Sequence, residues 1–175
     1  MTNKTIQLTT PLSENDIKTL KTGDIVELTG TIYTARDQAH QKLFNSLKKN
    51  EPLPIPKNAI LYYAGPTPAK PNEVIGSCGP TTASRMDPFT PYLIENGLTI
   101  CIGKGARNKE VIDQIRTHNG LYFSALGGCG ALHHQEIKAA KCIAYPELLS
   151  EAIYELQIEK FTLIVAVDST GKSIF

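Results

Sequence analysis

Between residues 25 and 126, short apolar runs alternate with segments whose apolar residues recur at helical spacing, and glycine or proline stands at most of the changeovers. That alternation describes strand–helix–strand units, which build an α/β domain around a partly parallel sheet. Residues 25–35 read as a strand with Val26, Leu28 and Ile32 on one face. Residues 36–49 read as a helix, since Ala39, Leu43 and Leu47 fall four apart. Pro52, Pro54 and Pro56 end that helix and impose an extended link to a buried strand at 59–64. Further on, 98–102 reads as a strand, 108–118 as a helix closed by Asn119-Gly120, and 121–126 as another strand. A glycine-rich entry then leads to a helix near 131–140.

The ends of the chain are richer in strand. Residues 4–9 alternate weakly, and Ser13 with Asp16 marks a short helix running to Leu20. Residues 153–159 place Tyr154, Leu156 and Ile158 opposite Glu155, Gln157 and Glu159, a strand pattern, and 163–167 form a separate apolar strand. These ends suggest a second sheet or a barrel-like layer, with a plain flavodoxin-like domain as the alternative. The expected class is α/β, a mixed sheet flanked by helices, in one domain spanning 1–175.

A chain of 175 residues can bury a real core, and its 41% hydrophobic and 20% charged content is ordinary for a globular protein. A net charge of +1 gives no basis for capturing nucleic acid or an anionic membrane surface. The first residues lack the apolar run of a signal peptide, and no stretch approaches the ~18 to 20 apolar residues that cross a bilayer. Cys78, Cys101, Cys129 and Cys142 form no C-x-x-C pair. Free thiols in a reducing cytoplasm are therefore expected, and the spacing supports no metal site in this chain.

The richest segment for function is 76–87, reading G-S-C-G-P-T-T-A-S-R-M-D. Glycine and proline stop the preceding strand and proline suits a first helical turn, so a helix from here to about Glu95 is expected, interrupted by Pro88 and Pro91. The free amides of such a turn would favour an anion, with Arg85 one turn further on. Thr81 and Thr82 fit helix caps at least as well as catalytic hydroxyls. Arg36 and Lys104 also leave strands, and ligands of open α/β sheets gather at the carboxyl ends of strands. Each cation alone resembles an ordinary surface charge; two arginines and a lysine at equivalent ends match a small dicarboxylate.

Weaker patterns lose to plainer readings. Gly103-Lys104-Gly105 lacks the Ser or Thr of a phosphate loop, and Gly127-Gly128-Cys129-Gly130 misses the dinucleotide fingerprint. His133-His134 lacks metal-ligand spacing and reads as a polar helix face. Asp37 and His40 could pair or cap locally, and His40 lies four residues from Arg36 and could shape the same pocket.

G-P-T-T-A-S-R-M-D, with T-G-T-I-Y-T-A-R-D-Q-A-H upstream, I-G-K-G downstream and the tail from A-Y-P-E-L-L to V-D-S-T-G, resembles the β subunit of class I fumarate hydratases. The resemblance runs from about Leu8 to Phe175. It implies a swivelling β/β/α domain that forms half of a hydro-lyase of the tricarboxylic acid cycle, inactive without an α subunit that carries a 4Fe-4S cluster. It allows a dimer of heterodimers. By the same resemblance Arg36, Arg85 and Lys104 hold substrate carboxylates, Thr81 is the candidate base, and no residue of this chain binds metal. Ser84 departs from the glycine of many relatives. The tartrate dehydratase β subunit shares most of the motif, Asp87 and R-D-Q-A-H favouring the fumarase. A stand-alone dicarboxylate-binding module is the alternative of another class.

Overall fold

The computed structural model describes residues 5–125 and 130–175. Along the chain lie β1 (Ile6–Thr9), α1 (Glu14–Thr19), β2 (Ile25–Thr34), α2 (Asp37–Lys48) and β3 (Ile60–Tyr62). A 3-10 turn (Ala83–Met86), α3 (Thr90–Glu95), β4 (Ile100–Gly103), α4 (Lys109–Thr117) and β5 (Leu121–Ser124) follow. The last part comprises α5 (Gly130–Glu136), β6 (Ile137–Ala144), a second 3-10 segment (Pro146–Glu151) and β7 (Ile153–Val167).

Local chemistry starts the helices where the sequence indicates. The Ser13 side chain accepts from the Asp16 N–H at 3.1 Å while Asp16 accepts from the Ser13 N–H at 2.8 Å, a reciprocal capping box for α1. Asn108 caps α4 by accepting from the Val111 N–H at 2.9 Å. Gly97 takes a φ of +98° after α3, which a side chain would resist.

Strands β2, β3, β4 and β5 pair in parallel, each with the next. Strand β7 runs antiparallel to both β5 and β2 and so closes the sheet into a small barrel, with β1 and β6 attached to its sides. Alternation along the strands sorts the two faces. Ile60 and Tyr62, Ile100 and Ile102, Leu121 and Phe123 point inward and meet Leu28, Ile32, Phe161 and Leu163. Leu61, Tyr63, Cys101 and Tyr122 point outward and are covered by α2, α3 and α4 through residues such as Leu43, Leu93 and Ile115. Burial on both faces explains why these strands read as continuous apolar runs.

Gly30 explains the gap between Leu28 and Ile32. The pairing of β2 with β7 shifts there, Gly30 adopts φ +126°, and a Cβ would collide with Thr10. The expected α/β class with a mixed, helix-flanked sheet is what the structure shows.

Two expectations need correction. The helix near 131–140 ends at Glu136, and residues from Ile137 form β6 on the edge of β7. The run I-K-A-A-K-C-I-A has residues that suit a helix, and pairing with β7 overrides that preference. The two strands at 153–159 and 163–167 are one strand of 15 residues, which passes through Lys160 with φ +51° as its neighbours change. The helix running to Glu95 is interrupted around Pro88 and Pro91 as expected, into a 3-10 turn and α3. The glycine run at 127–130 lies mostly outside the described residues.

Candidate functional site

The carboxyl ends of β2, β3 and β4 share one edge of the barrel, because the strands are parallel neighbours. Arg36 follows β2, Tyr63 follows β3 and Lys104 follows β4 directly. The 81–87 segment is stitched across that edge. The Thr81 N–H donates to the Tyr63 carbonyl at 2.6 Å, the Lys104 N–H to the Thr81 carbonyl at 3.3 Å, and the Ala83 N–H to the Lys104 carbonyl at 2.9 Å. Thr81 and Lys104 are thereby backbone neighbours despite a separation of some two dozen residues in sequence. Gly103 makes this possible, since a Cβ there would stand 2.9 Å from Tyr63 Cδ2 and 3.1 Å from Ala83 Cβ.

Arg85 extends from the 3-10 turn to the start of α2. Its Nε donates to Asp37 Oδ1 at 3.0 Å and its Nη2 to Asp37 Oδ2 at 2.7 Å, a two-pronged grip. Asp37 immediately follows Arg36, so this ion pair joins Arg85 to Arg36. The Arg36 guanidinium lies against Gly65, where a Cβ would approach its Cζ and Nε to 2.9 Å. Arg36 Nε stands 3.4 Å from Glu151 Oε1, yet is buried without a hydrogen-bond partner. Glu151 instead accepts from Gln38 Nε2 at 2.8 Å. All four sequence-predicted residues thus collect on one edge, with Thr81 half-buried and Arg85 and Lys104 exposed.

The source of positive charge differs from expectation. Two amides proposed to face an anion, those of Thr81 and Ala83, are engaged by the sheet edge. Neither threonine serves the cap either, because Thr82 at the N-cap of the 3-10 turn makes no side-chain capping bond. Those two amides are unavailable to a ligand anion, and the charged groups on this edge are side-chain cations.

Arg107 escaped the sequence reading. Its side chain is 0% exposed, and its Nε donates to Asp87 Oδ1 at 2.7 Å. Its Nη2 reaches Thr90 Oγ1 at 2.8 Å, and Asp87 Oδ2 also accepts from the Asn108 N–H at 2.9 Å. The pair binds the end of the 81–87 segment to the loop that follows Lys104. The sequence signal was Asp87 itself, an acid at the end of the 76–87 segment.

His40 supports the same helix start. It is fully buried, its Nδ1 lies 3.0 Å from the Arg36 carbonyl, and its ring meets Tyr63 edge-on at 5.0 Å. It does not pair with Asp37, which is held by Arg85. Burial lowers its pKa from 6.5 to about 4, partly opposed by the Arg36 carbonyl and reinforced by Arg107. The ring is therefore neutral near pH 7, and a carbonyl only accepts, so Nδ1 carries the hydrogen. The unfolded chain binds this proton below about pH 6.5 while the folded chain refuses it until about pH 4. Stability should fall as pH drops through that window, by about 3 kcal/mol from this group. Denaturant unfolding of wild type and His40→Leu at pH 7 and pH 4.5 measures it: the difference between them should narrow at the lower pH, and an unchanged difference would contradict the assignment.

Two of the described cysteines are sequestered. Cys78 and Cys101 are buried, and burial pushes the Cys78 thiol up to about 12, so it stays protonated near neutral pH. Among the described residues no group of three or more His, Cys, Asp or Glu side chains could hold a metal ion. His133 is not on a polar face as expected: it is buried, stacks on Phe161 at 4.4 Å and pairs with Glu136 at 2.8 Å. No helix among the described residues is long and apolar enough to cross a membrane.

Two arginines, a lysine and a threonine on the carboxyl edge of parallel strands define an α/β unit with a candidate site for small carboxylates. The sequence profile of the family described as Fumarase C-terminus matches residues 1–175, and the chain belongs to that family. It is 42% identical over 171 residues to a Methanocaldococcus jannaschii protein that carries the name "Putative L(+)-tartrate dehydratase subunit beta", covering 94% of this chain and 88% of that one. It is 40% identical to the anaerobic class I fumarate hydratase of Escherichia coli, over 86% of this chain and 28% of the relative. It is 38% identical to fumarate hydratase 2 of Leishmania major, over 87% of this chain and 28% of the relative. The chain thus spans under a third of these two fumarate hydratases but most of the separate subunit.

Proposed function

We propose that this chain is the β subunit of a class I fumarate hydratase, interconverting fumarate and (S)-malate together with a separate α subunit. The observation that carries the reading is the shared edge on which Arg36, Thr81, Arg85 and Lys104 collect. Support for a divided enzyme comes from the Methanocaldococcus relative, which is named as a subunit beta and matches the chain over 88% of its own length. In this reading the 4Fe-4S cluster that such an enzyme uses is carried by the α subunit; among the described residues of this chain no group of three or more His, Cys, Asp or Glu could hold a metal ion.

In this reading Arg36, Arg85 and Lys104 bind the two carboxylates and orient the carbon chain. Thr81 Oγ1, as an alkoxide, takes the proton from the methylene carbon of malate and becomes a neutral hydroxyl. The C–O bond on the adjoining carbon breaks, and the abstracted proton and the departing hydroxide together account for the water released. Hydration runs the same steps in reverse. The cations stabilise the additional negative charge that spreads into the adjoining carboxylate as that C–H bond breaks, which lessens the basicity demanded of the hydroxyl. A tartrate dehydratase β subunit is the second reading, favoured by the match over nearly all of the Methanocaldococcus relative.

Anaerobic assay of the co-purified pair with malate, fumarate and tartrate separates the two. The fumarase reading expects turnover of fumarate and malate, and tartrate turnover alone would overturn it. In the same pair, Arg85→Ala should cost about 2 to 4 kcal/mol in kcat/KM through loss of a charged carboxylate contact. A near-wild-type value would remove Arg85 from the site.

A further inference from the structure

An arginine held ready for a ligand must give up rotamer freedom beforehand, or lose that freedom when the ligand binds. Arg85 is 53% exposed on a single 3-10 turn, and nothing about such a position fixes a long side chain by packing. Its guanidinium is nevertheless fixed in plane and direction by Asp37, which takes Nε and Nη2 together.

We propose that Asp37 is a positioning residue for substrate capture, presetting Arg85 so that its remaining edge meets a carboxylate. The stoichiometry of the guanidinium supports this. An arginine has five N–H groups in a fixed fork, and Asp37 accepts from Nε and one hydrogen of Nη2. Left over are the second Nη2 hydrogen and both on Nη1, which form the end-on edge that grips a second carboxylate through two parallel bonds. Asp37 therefore blocks one recognition edge of Arg85 and presents the other.

Asp37 is itself well placed for the task. It is the first residue of α2, where the helix start favours a negative side chain, and its neighbour Arg36 is a second predicted carboxylate ligand. Arg36 lacks an equivalent clamp, since Glu151 stands 3.4 Å from its Nε without a hydrogen bond. Asparagine would keep the shape of Asp37 but offer one acceptor where the fork needs two, and would lose the charge.

The proposal rests on the reading of Arg85 as a substrate cation, and a double-mutant cycle in the assembled two-subunit enzyme tells the two apart. Asp37→Asn should raise KM for the preferred dicarboxylate on the order of ten-fold, with kcat within about two-fold of wild type. Added to Arg85→Ala, it should have no further effect, because its role runs entirely through Arg85. A general structural role would instead lower activity in either background. Normal KM in Asp37→Asn beside a damaged Arg85→Ala overturns the positioning role alone, as does full additivity. A normal Arg85→Ala overturns the reading of the site and the proposal with it.

Discussion

Replacing Arg107 with methionine should destabilise the folded chain by about 3 to 5 kcal/mol, because it leaves the Asp87 carboxylate buried without its counter-charge. Arg107 is 0% exposed and Asp87 6%, so water cannot easily take the place of the lost partner. Methionine fills much of the aliphatic volume, which keeps cavity formation from dominating. Besides Asp87, the guanidinium serves Thr90 Oγ1 at 2.8 Å and lies 5.0 Å from the Tyr122 ring. The double variant Arg107→Met with Asp87→Asn should recover part of the loss, since a neutral amide is cheaper to bury alone than a carboxylate. Urea unfolding of the three variants checks the ordering. A cost below about 1 kcal/mol for Arg107→Met would show that the pair is no anchor. The functional consequence follows from position: the pair fixes the 81–87 segment against the loop after Lys104.

Thr81→Val in the assembled enzyme should lower kcat by about a hundred- to ten-thousand-fold, the range for removing a positioned proton-transfer group. Valine keeps the branched shape and leaves the backbone bonds to Tyr63 and Lys104 available, so the edge of the site should hold its form. KM should change little, because substrate carboxylates are assigned to the cations and not to this hydroxyl. Thr81→Ser, which restores a hydroxyl, should recover much of the rate. Loss in KM alone would make Thr81 a binding residue, and an unchanged kcat would remove it from proton transfer.

The sequence displayed the barrel strands well, because burial on both faces made 60–62, 100–103 and 121–123 continuous apolar runs. It hid β6, whose exposed Lys138, Lys141 and Cys142 and helix-favouring alanines gave no strand period. That strand exists because β7 offers it an edge, a long-range fact absent from any local window. The site was half visible in the same way. Arg36, Thr81, Arg85 and Lys104 stood at recognisable strand-to-loop changeovers, and the parallel order of β2, β3 and β4 brought them to one edge. The clamps stayed hidden. Asp37 finds Arg85 48 positions away and Arg107 finds Asp87 20 positions away, and a buried arginine reads as a surface charge until its partner is located. The amides near Thr81 misled for a related reason, since backbone donors near the start of a turn are free only if no sheet edge claims them.

The proposal that this chain supplies half of an active site is tested most directly by titrating it into the proposed α subunit. Initial rates of fumarate hydration would be followed anaerobically at fixed α subunit. A divided site predicts negligible rates for either subunit alone, a rise with added chain and saturation at one equivalent. Turnover by this chain alone, or an α subunit whose rate is indifferent to it, would contradict the account.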